Sequence, residues 1–383
     1  MTSPVVGERF RALKPSITIE TSERIRVARA SGRKIIGLAS GDPNLVTDER
    51  IIEAALKAMR GGATRYGSPA GESDLREAIV QRELSRSGVK YAADDVIVTP
   101  GGKFALLTAL MGIVSPGDEV IVPHPGWVSY GPCVRLCGGT VVPLETMETF
   151  DHDALERLIT PATRAIIVNS PVNPTGRVLS RADMDGIVAV ANAHNLWIVF
   201  DQVYADFVFK APMVYAQSIP GGFARTMVVD SFSKSFGMTG WRLGYLALPP
   251  GFAKSIVKFM QHSVYCVPPF VQQAGVRALE LSAELLQQYR AMFRARVERG
   301  AAALRDLPWM TVTVPDAGFF LFPRVDGDAE AIARRWLDQF DVAVLPGSAF
   351  GPAGASHLRI SLTCSDSDLD VAFERMARAG SAG

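Results

Sequence analysis

The chain has 383 residues, 48% of them apolar and 21% charged, with a formal net charge of +1. That balance leaves no electrostatic footprint for nucleic acid or an acidic surface, and it points to a small substrate. The length exceeds what one core serves, so two domains are expected in an ordinary soluble globular protein.

The four cysteines, Cys133, Cys137, Cys266 and Cys364, form no C-x-x-C pair and have no histidine cluster beside them. Reduced thiols in a cytoplasmic protein fit this better than disulfides or a metal site. The N-terminal M-T-S-P-V-V-G-E-R-F-R lacks an apolar signal core. No apolar run reaches the roughly 18 residues of a transmembrane helix.

In chain order, residues 20–31 read as a charged helix ending near Gly32. An apolar strand run over 35–44 is broken by Gly41 and Pro43, and a glycine there permits a turn or a close backbone approach to a ligand. Residues 48–59 are helical. A loop, T-R-Y-G-S-P-A-G, carries Tyr66. A second helix starts at Ser73, with Leu75, Ile79, Val80 and Leu84 as its stripe and Gly88 as its stop.

Strands and helices then alternate. Strand candidates are 95–99, 119–122, 140–143, 165–169, 196–201, 226–229 and 243–248. This predicts an α/β fold: a large domain with a mostly parallel seven-stranded sheet sandwiched by helices. Beyond Pro268 the pattern shifts to a long helix over 283–307, with Leu285, Leu286, Tyr289, Phe293 and Val297 near helical spacing. Short strands follow at 311–314, 318–322, 342–345 and 357–362, and a last helix at 367–379. These form a smaller α+β domain. The expected division is 1–45, an N-terminal segment joining the small domain, 46–280, the large domain, and 281–383, the small C-terminal domain.

Polar residues cap the strand candidates at Thr99, Asn169, Asp201 and Ser231, where an open α/β sheet forms its ligand crevice. Pro100-Gly101-Gly102 joins a strand to a helix that carries Leu106, Leu107, Leu110 and Met111, a pattern that can bind an anion at free N–H groups. Lys103 adds charge where the helix dipole is already positive, which favours a functional reason for it. Trp127 sits in a loop where it could stack on a flat ring or simply pack in the core. Asn173, before Pro174, could point its amide at a ligand or close a turn. Asp201 ends an apolar strand, so it needs a partner: a protonated ring nitrogen or a structural arginine. Arg359, in H-L-R-I-S-L, likewise needs an anion, either a structural carboxylate or a substrate's. In S-F-S-K-S-F-G-M-T-G-W-R, Lys234 stands between Ser231 and Arg242, and could be a solvated loop lysine or an amine that forms a Schiff base beside a bound phosphate.

In order, the motifs L-A-S-G-D-P-N, T-R-Y-G-S-P-A-G, T-P-G-G-K, P-G-W-V-S-Y, N-P-T-G, D-Q-V-Y, S-F-S-K-S-F-G-M-T-G-W-R and H-L-R-I-S span nearly the whole chain. Together they resemble the class I/II pyridoxal-phosphate aminotransferases of fold type I, in the aspartate-aminotransferase-like branch. The resemblance implies pyridoxal 5'-phosphate as cofactor and no metal. It implies that Lys234 binds the cofactor and shuttles the proton. Ser231, Ser233, Arg242, Gly102 and Lys103 would hold the phosphate, with Tyr66 reaching it from the neighbouring subunit of a homodimer with shared active sites. Asp201 would pair with the ring nitrogen, Asn173 and Tyr204 with the ring oxygen, and Trp127 would stack on the ring. Arg359, with Gly41 and Asn173, would bind the substrate carboxylate.

The implied activity is ping-pong transfer of an amino group from an L-amino acid to a 2-oxo acid. Lys103 favours dicarboxylic substrates, and the segment 13–18 resembles one that closes over substrate. Phe104, Tyr265 and Phe350 leave an apolar pocket open as a choice. A C–S β-lyase and a non-catalytic ligand-sensing relative are the alternatives. Gln202 stands where the family often has glutamate; it is not expected to contact the ring, so the departure counts little against the resemblance. Gly126, where a bulkier residue often precedes the tryptophan, is expected to reshape the side-chain pocket.

Overall fold

The computed structural model describes residues 6–380 apart from 12, 14, 148 and 211. Its strands in chain order are β1 (Ile36–Gly37), β2 (Val96–Thr99), β3 (Glu119–His124), β4 (Thr140–Glu145), β5 (Thr163–Asn169), β6 (Trp197–Asp201), β7 (Thr226–Ser231) and β8 (Gly244–Ala247). Then come β9 (Met310–Thr311), β10 (Phe320–Leu321), β11 (Arg324–Val325), β12 (Val342–Ala343), β13 (Leu345–Pro346) and β14 (Leu358–Ser361).

Seven of these pair into one sheet, and all but the largely exposed edge strand β4 are apolar on both faces. In β5, Ile166 and Val168 enter one core while Ala165 and Ile167 enter the other. In β6, Ile198 and Phe200 divide from Val199 in the same way. A strand buried twice over reads as an unbroken hydrophobic run, the mark of a helix-covered parallel sheet. The order is β2-β8-β7-β6-β5-β3-β4. Only β8 runs against its neighbours. All seven strands were expected from the sequence, each within a few residues of its observed bounds.

The helices begin and end where their caps allow. Asp48 accepts the Arg50 N–H at the start of Glu49–Arg60, and Ser180 makes a reciprocal capping box with Asp183. Gly88 ends Ser73–Ser87 at φ 72°, a left-handed position suited to glycine. Within that helix Leu75, Ile79 and Val80 are buried, but Leu84 is 37% exposed and the fully buried residue beside it is Glu83. The apolar stripe expected from spacing is therefore interrupted by a charge.

A second core collects Ile36 and Leu38 with residues from Val297 to Ala379. Helix Ser282–Arg305 joins the two cores. Its Leu285 and Leu286 pack under the sheet, and its Val297, Ala301 and Leu304 pack in the second core. There β10, β14 and β13 form a three-stranded antiparallel sheet, and β1 pairs with β12. The helix Ala329–Phe340, capped by Asp328 and carrying the fully buried Trp336, was not anticipated. None of the cysteines forms a disulfide. Among the described residues no helix is long and apolar enough to cross a membrane, and no group of side chains is arranged to hold a metal ion.

The sheet sets the register of the residues that matter. Asn169 lies opposite Asp201, Asp201 opposite Val229, and Ser231 opposite Gly244. Gly244 also pairs with Thr99, just before the Gly101–Gly102 turn. A Cβ at Gly244 would lie 2.7 Å from the Gly101 carbonyl carbon and 2.8 Å from both the Asp230 oxygen and the Gly102 nitrogen. All three are backbone atoms and cannot swing aside. Gly244→Ala is therefore expected to cost about 1–3 kcal/mol in urea unfolding, as overpacked cores do. An unchanged midpoint would show that the turn yields.

Candidate active site

β7 runs into a single helical turn, Phe232–Ser235, at the end of the sheet where the parallel strands finish. Ser231 caps it: its hydroxyl accepts the Ser233 N–H at 3.1 Å and donates to Ser233 Oγ at 2.9 Å. The turn aims Lys234 inward, and Lys234 Nζ donates to the Gly41 carbonyl at 2.7 Å. Burial lowers this amine to about 8, helped by Arg359 and Arg242 and opposed by Asp42 and Asp201. The reading of Lys234 as a solvated loop residue is excluded.

Asp201 ends β6 and is 3% exposed. Tyr130 Oη donates to its Oδ2 at 2.8 Å, and the Val203 N–H reaches Oδ1 at 3.2 Å. No cation of the described chain lies within ion-pair distance, so the structural-arginine alternative is excluded. Burial lifts the carboxyl to about 6, against the pull of those two hydrogen bonds. The neighbouring strand end locks in place through Asn169, whose amide donates to the Asp201 carbonyl at 3.0 Å and whose Oδ1 accepts the Asn173 N–H at 2.9 Å. Tyr204 is buried, and that burial raises its hydroxyl well above the usual range.

Arg359 arrives on β14 from the second core and is 2% exposed. One terminal nitrogen donates to Asn173 Oδ1 at 3.1 Å and the other to the Ala39 carbonyl at 2.6 Å. Nε has no partner. The guanidinium lies 4.5 Å from the Phe320 ring centre and 4.8 Å from that of Phe350. Burial lowers it to about 10. No carboxylate of the described chain pairs with it, so the structural salt bridge is excluded. What remains is a desolvated cation with a spare donor, facing a cavity.

At the other end of that cavity the donors suit a phosphate. Gly101 turns at φ 86°, and a Cβ there would meet the Arg242 guanidinium at 2.5 Å. The helix Gly102–Ile113 then starts with no side-chain cap, leaving N–H groups free. Arg242 is held by the Thr239 carbonyl at 2.8 Å and by the Pro100 carbonyl at 3.3 Å. Lys103 Nζ stands 5.3 Å from the Trp127 ring centre, and Trp127 meets Tyr130 edge to face at 5.5 Å.

A cavity of about 290 Å³ joins these groups. Gly41, Gly102, Lys103, Trp127, Asn173, Asp201, Tyr204, Ser231, Ser233, Lys234, Arg242 and Arg359 all line it. Tyr66 does not. It is 86% exposed and packs edge to face on Tyr265 at 5.0 Å. Thr18, from the N-terminal segment, also lines the cavity, whereas Lys14 of that segment lies outside the described residues.

Two expectations need correction. Phe104, Tyr265 and Phe350 do not line the cavity: Phe104 stacks on Phe259, Tyr265 lies beside Tyr66, and Phe350 lies against Arg359. Gly126 does not shape it either. A side chain there would strike the Pro123 carbonyl at 2.2 Å, which is a packing demand. Gln202 does not line the cavity and is fully buried in a separate polar cluster with Glu83. Sequence reasoning missed Tyr130 and Val203. Tyr130 follows Trp127 by three positions, and that one-turn spacing was the available signal.

The family model for aminotransferase class I and II matches residues 33–376. The chain is 34% identical to an aspartate aminotransferase of Geobacillus stearothermophilus, over 97% of this chain and 98% of that one. It is 36% identical to the arginine–pyruvate transaminase AruH of Pseudomonas aeruginosa, over 90% of each. Among solved structures, the aspartate aminotransferase from Thermus thermophilus with maleate superposes with a TM-score of 0.94 at 33% identity, over 98% of this chain and all of that one.

The lowered Lys234 amine gives a measurable expectation. In cofactor-free protein, its labelling by a small acylating reagent should rise with pH around a midpoint near 8, followed by peptide mass spectrometry. The sign follows from burial, which favours the neutral, nucleophilic form. A midpoint at the ordinary lysine value of about 10 would show a hydrated amine.

Proposed function

The chain belongs to the aminotransferase class I and II family and is a transaminase, and we propose that it uses pyridoxal 5'-phosphate to move the amino group of an aspartate- or glutamate-type amino acid to a 2-oxo acid, in ping-pong fashion. The observation that carries this reading is Arg359: a buried guanidinium without a carboxylate partner, in the same cavity as Lys234 and Lys103.

The residues present fit the cofactor. Uncapped helix N–H groups, hydroxyls and a guanidinium suit a phosphate at one end. At the other, a buried carboxylate lacks a cation. Bound pyridoxal phosphate supplies an aldehyde to link with an amine and a ring that withdraws electrons. Ser231, Ser233, Arg242 and the backbone of Gly102 and Lys103 would hold the phosphate. Asp201 would keep a proton on the ring nitrogen, Asn173 and Tyr204 would hydrogen-bond the ring oxygen, and Trp127 would cover the ring.

Arg359 fixes the substrate α-carboxylate, assisted by Asn173 and the Gly41 backbone. Lys234 Nζ would take the proton from the substrate Cα and hold it for return, the general acid–base role in transamination. Lys103 receives the distal carboxylate of a dicarboxylic substrate. The sandwich of Phe320 and Phe350 excludes water behind Arg359, which strengthens its hold on an anion.

We assign residues 46–280 to a large, cofactor-holding domain, and 281–383 with the N-terminal 1–45 to a small domain that carries Arg359. The exposed Tyr66 supports a homodimer in which it reaches the partner's phosphate. Four cysteines that form no disulfide suit a cytoplasmic enzyme.

The test is a panel of amino acids mixed with the loaded enzyme, following loss of the cofactor's visible absorption and identifying the oxo acid. Aspartate and glutamate should react faster than alanine, phenylalanine or arginine. Lys103→Met should raise KM for aspartate by roughly 10–100-fold, the loss of a charge-assisted contact, with alanine little affected. An equal effect on aspartate and alanine would overturn the dicarboxylic assignment.

A further inference from the structure

Behind the Lys234 turn lies a second group of buried charges that touches neither the cavity nor any reacting atom. Arg82 and Arg86 project from the helix Ser73–Ser87, with side chains 8% and 11% exposed. Arg86 spans two carboxylates with its two terminal nitrogens. One donates to Asp206 at 2.5 Å and the other to Asp230 at 2.6 Å. Each aspartate in turn grips the Lys234 turn. Asp206 Oδ2 accepts the Ser235 hydroxyl at 2.5 Å, and Asp230 Oδ1 accepts the Ser231 N–H at 2.6 Å. Ser231 stands three residues before Lys234 and Ser235 one residue after it. One guanidinium therefore ties down both ends of the segment that presents the amine and the phosphate-binding serine.

The rest of the cluster fixes the clamp in turn. Arg82 pairs with Asp206 Oδ2 at 2.6 Å. Tyr245 Oη lies 2.9 Å from Asp230 Oδ2 and 2.7 Å from Glu83 Oε1, and Gln202 donates to Glu83 at 2.8 Å. Burial raises the Glu83 carboxyl, which Arg86 also approaches at 3.8 Å.

We propose that Arg86 is a positioning residue for transamination: through Asp206 and Asp230 it sets the place of Lys234 relative to Ser231. This rests on the assignment of Lys234 as the reacting amine. An ion pair that only stabilised the core would hold the fold together without setting that geometry. A clamp on a reacting group acts on rate, because a displacement of about 1 Å costs on the order of a hundredfold.

The experiment uses the full-length protein with Arg86→Lys, which keeps the charge but not the two-nitrogen span, and Ser235→Ala, which removes one hydrogen bond and no charge. Three quantities are read beside the melting temperature: the dissociation constant of pyridoxal phosphate from cofactor-free protein, the pH midpoint of Lys234 acylation, and the kcat and KM of the holoenzyme. Arg86→Lys should weaken cofactor binding and lower kcat by about tenfold or more, with KM for the amino donor within about twofold because Arg359 is untouched. Ser235→Ala should lower kcat by about threefold to tenfold and shift the acylation midpoint. Variants that melt lower but keep cofactor affinity, midpoint and kcat within about twofold of the wild type would overturn the proposal. If Arg86→Lys does not fold, Ser235→Ala decides alone. A wild-type protein that transaminates nothing would overturn the functional reading instead. Cofactor affinity and Lys234 acylation would still judge the clamp.

Discussion

Three ionisable groups gather around one cavity, Asp201 and Arg359 buried and Lys234 half-buried, and none has a counter-ion of the described chain in contact. Each departs from its ordinary pKa in the direction that burial dictates: the amine and guanidinium down, the carboxyl up. A chain selected for stability alone would pair or replace them. On the proposed function the missing partners are ligands: a phosphorylated, ring-bearing aldehyde would supply a nitrogen for Asp201 and a carbonyl for Lys234, and an amino acid would supply a carboxylate for Arg359.

The fold makes this arrangement possible by fixing the backbone first. Parallel strands end together, so Asn169, Asp201 and Ser231 lie in adjacent registers at one edge. Gly244 and Gly101 allow β8, the turn and Arg242 to approach at distances that no side chain would permit. Arg359 comes from the second core and bonds Asn173 of the first, so the carboxylate site proposed for it would form only where the two cores meet. Behind Lys234, the Arg86 cluster contains the matched ion pairs that the cavity lacks. Charges with a structural task are paired, and charges facing the ligand are left open.

Much of this was legible in the sequence where one local rule decided the outcome. Six of the seven sheet strands are buried on both faces, which leaves an unbroken apolar run that the sequence shows; the edge strand β4 is largely exposed. Gly88, a left-handed helix stop, was equally plain. Asp201 and Arg359 stood out because a charge in an apolar strand requires a partner, and Lys234 because it stands in a loop between a hydroxyl and a guanidinium. The sequence could not say which partner, since excluding a structural arginine for Asp201 or a carboxylate for Arg359 requires knowing every neighbour in space. Glu83 was hidden for the same reason: its partners Gln202, Gln217 and Tyr245 lie more than a hundred residues away, and helical spacing predicted Leu84 on that face. The short strands near the C-terminus were placed only roughly. Two-residue pairings such as β9 with β11 carry little periodicity, and the helix Ala329–Phe340 between them was passed over despite its Asp328 cap.

If the cavity's charges are held at a cost to stability, removing one should stabilise the protein that lacks cofactor. The most direct measurement is the unfolding free energy of cofactor-free Asp201→Asn against wild type from pH 4 to pH 8. Because the folded carboxyl titrates near 6, above its value of about 4 in the unfolded chain, the wild type bears no penalty below pH 4 and the full penalty above pH 6. The variant should be more stable at pH 8 by on the order of 2–3 kcal/mol, with the gap closing toward pH 4. A variant less stable than wild type at pH 8, or a gap that does not change with pH, would contradict the account.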